Sequence, residues 1–191
     1  MSAFDPAVYG TVFADLLKNV RLMPLDPGVG NSSAKAALEA LDLEQAFAPH
    51  HISDRTMAEG CRSAVWLYHD YLDTSHTISQ QLDTGTGSYW HGIMHRREPD
   101  YPNSKYWFRR IGDHAIYPAL KEEAAAIASR TDRLPEETAF LTTQSSWDPN
   151  TFIDLCEAAN LGRIPAEDLC QRIQQREWEL LFDYSYHHAV G

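Results

Sequence analysis

Apolar residues recur along much of the chain at the spacing of an amphipathic α-helix. Near the N-terminus, Val8, Val12, Leu16 and Val20 follow one another at four-residue intervals, so a helix over this segment would carry them on one face. No segment alternates β-branched and polar residues over more than a few positions, which makes the signals for β-strands weak. The pattern predicts an all-α protein.

Capping residues, prolines and glycines divide the chain into about eight helices. Ser53 and Asn103 are suitable N-cap residues, while prolines fit first turns and glycines fit helix ends. The predicted helices cover residues 7–20, 33–47, 53 to about 71 or on to 82, 88–97, 103–111, 118–128, 149–160 and 165–184. No internal repeat or long linker interrupts the series, so we expect residues 1–191 to form a single-domain, multi-helix bundle.

The composition is that of an ordinary globular protein. Hydrophobic residues make up 43% and charged residues 23% of the chain, and no apolar run reaches the roughly eighteen residues that a membrane span needs. The N-terminus lacks the basic and apolar regions of a secretory signal. The cysteines, Cys61, Cys156 and Cys170, form no C-x-x-C pair, which fits a reducing compartment. We therefore predict a cytoplasmic protein without a membrane segment.

Charge and ring-bearing side chains are distributed unevenly. The formal net charge of −11 disfavours binding to nucleic acid and to anionic membranes. Residues 91–110 nevertheless hold five basic side chains against two acidic ones. Seven aromatic residues lie between positions 89 and 117, and five of the nine histidines lie between 69 and 114. Because imidazoles, guanidiniums and aromatic rings commonly line sites for polar ligands, this segment is the candidate functional region.

His91 and His95 are candidate metal ligands. They are four residues apart, so in a helix both imidazoles project from one face and can share one metal ion. At about 100° per residue, this face points away from the apolar residues of the same helix, and the pair therefore faces either solvent or a polar cavity. The alternative is a pair of surface histidines, because an isolated H-x-x-x-H spacing is common by chance.

His69, Asp73 and His76 form a second candidate set, spaced four and three residues apart on one helical face. Two antiparallel helices carrying both sets would resemble the way helical bundles build metal sites in their cores. The many imidazoles and few carboxylates predict a single divalent transition metal, namely zinc, iron or manganese. Alternatively, Asp73 begins a cap or a break between two helices, which would scatter the second set.

Arginines and aromatic residues near the histidines suggest a clamp for a small anionic substrate, because guanidiniums bind carboxylate and phosphate bidentately and stack on aromatic rings. The alternative is that these arginines form salt bridges with the acidic remainder of the chain. Two further residues, Glu98 and His114, are candidates for proton transfer. The predicted substrate-binding residues are Arg96, Arg97, Tyr106, Trp107, Arg109 and Arg110.

The block from Trp90 to His114 reads WHGIMHRREPDYPNSKYWFRRIGDH. It resembles a signature found in a group of uncharacterised bacterial and fungal proteins. The resemblance covers about an eighth of the chain and implies no activity, cofactor or catalytic residue. The resemblance points to the same segment as the local content of aromatic, histidine and basic residues.

These patterns favour a metal-dependent enzyme acting on a small anionic molecule. A second hypothesis is a non-catalytic helical module that binds a small ligand or a protein through the aromatic and arginine block at 89–117. A third is that the block is structural, with its tryptophans in the core and its arginines paired with acidic residues. The positions of the imidazoles at 69, 76, 91 and 95 distinguish the first hypothesis from the others.

Overall fold

Helices account for all the regular secondary structure in residues 4–19 and 21–191, which are the residues described by the computed structural model. These residues contain no β-strand, and the all-α prediction is confirmed, with more α-helices than the eight or so expected. Two short 3₁₀-helices lie at Pro6–Tyr9 and Glu136–Thr138. The α-helices are α1 (Gly10–Leu17), α2 (Ser32–Glu39), α3 (Leu43–Phe47), α4 (Arg55–Tyr68), α5 (Leu72–Ser79), α6 (Gly85–Arg97), α7 (Tyr101–Arg109), α8 (Tyr117–Ser129), α9 (Phe140–Thr143), α10 (Pro149–Asn160) and α11 (Glu167–Val190).

The helix count exceeds the prediction partly because α2 and α3 replace one predicted helix over residues 33–47. Asp42 lies between them in an extended conformation, and its Oδ1 accepts a hydrogen bond from the Gln45 backbone amide at 2.9 Å. This aspartate therefore caps α3 instead of continuing α2. The first predicted helix is also shorter than expected, because α1 ends at Leu17, and its predicted end at Val20 lies outside the described residues.

The long helix predicted from residue 53 is divided into α4 and α5 at Asp70. This residue has a φ of +62°, a left-handed conformation that ends an α-helix and that aspartate tolerates better than most residues. Its buried carboxylate forms ion pairs with Arg21 and with Arg97. Arg97 also donates hydrogen bonds to the backbone oxygens of Pro24 (3.0 Å) and Leu67 (2.9 Å). Through these contacts of Arg97, α6 is bonded to the C-terminal end of α4 and to the loop between α1 and α2 that contains Pro24.

The core is centred on α11, a helix of 24 residues that packs against α4 and α8. Trp178 of α11 is fully buried and stacks on Phe182 at 5.1 Å between ring centroids. Its indole Nε1 donates a hydrogen bond to the backbone oxygen of Ala64 on α4 at 3.0 Å. The central helix therefore combines aromatic packing with a satisfied polar atom, as buried tryptophan requires.

Helices α6 and α7 form an antiparallel hairpin that shapes the candidate site. A Cβ atom at Gly92 of α6 would lie 2.7 Å from ring atoms of Phe108 on α7, so glycine permits the close approach of the two helices. The Ser104 hydroxyl donates to the Gly92 backbone oxygen at 2.8 Å and fixes their register. Because α6 also contacts α4 and α5, its residues from Thr86 to Arg97 are all buried.

None of the helices in the described residues combines the length and the apolar character needed to cross a membrane. The three cysteines, Cys61, Cys156 and Cys170, are all buried and carry free thiols.

Candidate metal site

Three imidazoles meet where α5, α6 and α7 pack together. His76 comes from α5, and His91 and His95 come from successive turns of α6. One potential ligand atom from each residue lies within 4.8 Å of the other two. Imidazole nitrogens bound tetrahedrally to one zinc ion are roughly 3.3 Å apart, so small side-chain rotations would bring the three rings onto a single ion. The group can hold a metal ion.

Ser79 lies against Nδ1 of His91. The Ser79 hydroxyl is 3.3 Å from the backbone oxygen of His76 and 3.1 Å from Nδ1 of His91. A hydroxyl that donates to this carbonyl oxygen accepts from an Nδ1–H group of His91. In that tautomer the lone pair of His91 is on Nε2, where it is available to a metal ion.

Glu98 has the same effect on His95. Its Oε2 lies 3.1 Å from Nδ1 of His95, and a carboxylate can only accept, so Nδ1 carries the proton and Nε2 keeps its lone pair. Metal-binding histidines commonly donate their second ring nitrogen to a carboxylate in this way. The side chain of Glu98 is 38% exposed, whereas that of His95 is 6% exposed, so Glu98 links a buried imidazole to solvent.

The first turn of α7 places Asn103 against His95. Its Nδ2 lies 3.1 Å from Nε2 and 3.4 Å from Nδ1 of the imidazole. An atom along the Nε2 lone pair would be much farther from Nδ1, because the two lone pairs diverge from the ring. The amide therefore lies beside the ring rather than in line with its lone pair, and Nε2 remains available.

Trp107 and Arg110 close another side of the site. The Trp107 ring lies 4.2 Å from the His91 ring, between centroids. The Arg110 guanidinium lies 5.3 Å from the Trp107 ring and 6.0 Å from that of Tyr106, within range of a cation–π contact. Arg110 is also 3.5 Å from the exposed Asp83 carboxylate. Trp107 therefore forms an aromatic wall next to His91, and the positive charge of Arg110 lies against Trp107.

Burial keeps the two α6 imidazoles neutral. It is the main cause that lowers the pKa of His91 to about 3, and the charges of His95 and His76 lower that pKa further. Burial also lowers the pKa of His95, although the Glu98 carboxylate acts in the opposite direction. Neutral imidazole is the form that binds a metal ion, so at neutral pH both side chains are ready to act as ligands.

Two of the five predicted metal ligands lie outside this group. The Nε2 atom of His69 lies 2.8 Å from the Leu16 backbone oxygen, and its Nδ1 lies 3.1 Å from Nδ2 of Asn31, so both ring nitrogens have other partners. Asp73 is exposed in the first turn of α5. The break at Asp70 explains the difference, because His69 follows the end of α4 whereas His76 lies in α5, and the two residues therefore share no helical face.

Arg96 and Arg97 do not fit the predicted role in substrate binding. Both are buried, with exposures of 1% and 0%. Arg96 forms an ion pair with the buried Glu177 and donates from Nε to Gln174 at 3.3 Å, and Arg97 pairs with Asp70. Since neither side chain reaches solvent, these contacts support the alternative that the two arginines are structural. Part of the basic cluster is thus neutralised within the core.

His114 lies elsewhere and is held neutral. Its Nδ1 accepts from the Ile116 backbone amide at 3.4 Å, so its Nε2–H donates to the Thr86 hydroxyl at 3.2 Å. Burial, followed by the charge of His188, lowers its pKa to about 4. It lines a cavity of about 380 Å³ with Tyr117 and other residues, and that lining includes none of the three clustered imidazoles. These contacts do not fit proton transfer at the candidate metal site.

The remaining predicted substrate-binding residues lie on or just after α7. Trp107 and Arg110 adjoin the site, and Tyr106 is exposed beside both of them. Arg109 is exposed, and no ion pair, hydrogen bond or ring contact among the described residues links it to the imidazoles. Helical spacing accounts for this division, because positions 103, 107 and 110 share one face of α7 and position 109 faces away.

Sequence reasoning missed two residues of this site, Ser79 and Asn103. Asn103 was predicted as a helix cap, but Asp100 caps α7 and the Asn103 side chain turns towards His95. The three-residue spacing from His76 to Ser79 was the available signal for the serine, and the spacing from Asn103 to Trp107 was the signal for the asparagine. Neither spacing is specific enough to indicate a site without the tertiary contacts.

No protein-family model, curated protein or solved structure matches this chain.

Proposed function

We propose that the protein is an enzyme that binds one divalent transition metal ion through His76, His91 and His95 and acts on a small anionic molecule. The observation that carries this proposal is the convergence of the three imidazoles, with potential ligand atoms within 4.8 Å of one another. Ser79 and Glu98 support it, because each orients one imidazole with its Nε2 lone pair free.

The ligand set favours zinc or iron over manganese. Imidazole nitrogen suits zinc and iron, whereas manganese prefers carboxylate and water oxygens, and the group of three contains no carboxylate. Three protein ligands with a fourth position left for water or substrate are typical of catalytic zinc sites. A metal ion in such a site polarises a bound oxygen and activates water near neutral pH.

The expected substrate is a small anion for two reasons. Three neutral imidazoles leave the full double charge on a divalent ion, and the Arg110 guanidinium lies beside Trp107 at the edge of the site. The partner of Arg110, Asp83, is almost fully exposed, so an incoming anion can replace it at little cost.

The free, buried cysteines support the proposed cytoplasmic location.

Metal analysis of protein purified without a histidine tag tests this function. We expect about one equivalent of zinc or iron in the wild-type protein and loss of most of it in His91→Ala. His51→Ala is the matched control, because His51 is exposed and lies outside the group of three. Substoichiometric metal that His91→Ala leaves unchanged would rule out the proposed site.

A further inference from the structure

We infer that Asn103 determines substrate specificity by donating a hydrogen bond from its side-chain amide to an oxygen of a carboxylate or phosphate group held at the three imidazoles. This inference rests on the proposed metal site and names the chemical class of its substrate. Asn103 lies on α7 within 3.1 Å of His95 Nε2, which places its amide beside the position that a metal ion bound by His95 would occupy.

The amide of Asn103 is free to serve a ligand. Its Nδ2 is nearly equidistant from the two nitrogens of His95, at 3.1 and 3.4 Å, and therefore makes no well-aligned hydrogen bond with either. The Nδ1 atom of His95 is already bonded to Glu98. Among the described residues, the two ring nitrogens of His95 are the only polar atoms within hydrogen-bonding distance of this amide. An oxyanion arriving beside His95 would give the amide the acceptor that it lacks.

The backbone of Asn103 is fixed, so the amide is already in position. Asp100 caps α7 and its Oδ1 accepts from the Asn103 backbone amide at 3.3 Å. One turn later, Trp107 packs against His91. Arg110 follows beyond Trp107. One side of α7 thus presents a neutral donor beside His95 and an aromatic ring beside His91, followed along the chain by the cation of Arg110. A donor on a rigid element costs little entropy when a ligand binds.

A neutral donor at this position suits an anion better than a charged side chain would. A carboxylate here would repel the substrate and compete for the metal ion, whereas a lysine or arginine would repel the ion itself. Carboxylate and phosphate groups have more than one oxygen, so one oxygen can lie at the three imidazoles while another accepts from Asn103. A neutral, apolar substrate offers no acceptor to this donor.

The test uses cobalt as the metal probe and acetate and methylphosphonate as separate oxyanion probes. The visible absorption of Co²⁺ reports both its binding to the protein and the approach of an anion. We expect one equivalent of Co²⁺ in the wild-type protein and in Asn103→Ala, with anion affinity about tenfold weaker in the variant, as expected for losing a hydrogen bond to a charged group. Asn150→Ala is the control, because Asn150 occupies the first turn of another helix, α10.

The outcomes separate this inference from the proposed function. If the wild-type protein binds no Co²⁺, both are overturned. If Co²⁺ binds but Asn103→Ala keeps the wild-type affinity for both anions, only the role of Asn103 is overturned. If the wild-type protein binds Co²⁺ but neither anion, the role of Asn103 and the anionic substrate are both overturned, and the metal site stands. Loss of Co²⁺ from Asn103→Ala overturns that role as well, because Asn103 would then hold the metal. A weaker response to one anion alone supports the inference and identifies the preferred group.

Discussion

At the scale of single residues, the candidate site depends on which nitrogen of each imidazole carries the proton. Ser79 and Glu98 each bond to Nδ1 of a histidine, and each thereby leaves Nε2 free. Neither residue would touch the metal. Such partners reduce the number of orientations and tautomers that a ligand samples before binding, and their loss commonly weakens metal affinity.

Glu98→Ala tests this positioning role. Because His95 would lose the carboxylate that fixes its tautomer, we expect metal affinity to fall by about 10- to 100-fold. Glu98→Gln should recover part of the loss, since its side-chain oxygen can still accept from Nδ1–H. Competition with a chelating dye measures both affinities, and Glu39→Ala, an exposed residue on α2, is the control. Equal affinities in all four proteins would show that Glu98 does not position His95.

At the scale of helices, the site depends on the close packing of α6 against α7. Gly92 allows this packing because a side chain at that position would collide with Phe108. The hairpin brings Asn103 to His95 and Trp107 to His91. A change at Gly92 can therefore disturb the site by moving α7, although it alters no imidazole.

Gly92→Ala should lower the free energy of unfolding by about 1–3 kcal/mol, because the added Cβ would lie 2.7 Å from the Phe108 ring. Urea denaturation measures the change. Gly85→Ala in the first turn of α6 is a matched control, since its Cβ would have an ordinary contact of 3.5 Å with the Ile111 backbone oxygen. Equal stability of the two variants would contradict the close packing of α6 against α7.

The helices that carry the histidines could be predicted only in part from the sequence. The four-residue spacing of His91 and His95 was sufficient to predict that both project from one face of a helix, and they do. The grouping of His69 with His76 assumed that their helix continued. Whether Asp70 ends the helix depends on its ion pairs with Arg21 and Arg97, which come from distant parts of the chain. Local patterns carry no information about such partners.

The structural and exposed arginines could not be distinguished from local sequence either. In the sequence, Arg96 and Arg97 resemble Arg109 and Arg110, because both pairs flank an aromatic segment. Arg96 and Arg97 are buried and form ion pairs with acidic residues from other parts of the chain. Arg110 is exposed and lies beside Trp107. The sequence therefore predicted the candidate region but could not separate its structural arginines from its exposed ones.

At the scale of the whole molecule, several histidines are held neutral by burial, and folding therefore depends on pH. Among them, His114 is outside the proposed metal site, and its pKa is lowered from 6.5 to about 4. Below pH 6.5 the unfolded chain binds a proton at this residue that the folded protein does not. The free energy of unfolding therefore decreases as the pH falls from 6.5 towards 4.

His114→Gln should make the dependence of stability on pH shallower. Relative to each protein's own value at pH 7.5, we expect the variant to lose less stability than the wild type by pH 4, with a difference of up to about 3 kcal/mol. Urea denaturation across this range measures the effect, and His51→Gln, at an exposed position, is the control. Parallel curves for the wild type and His114→Gln would show that His114 titrates normally.

The proposed function requires a single metal ion between His76, His91 and His95. An anomalous difference map at the zinc absorption edge, from crystals of untagged protein loaded with one equivalent of zinc, tests it most directly. We expect one strong peak, about 2.0–2.1 Å from a nitrogen of each of the three imidazoles. A peak at other residues, or no peak among these three rings, would contradict it.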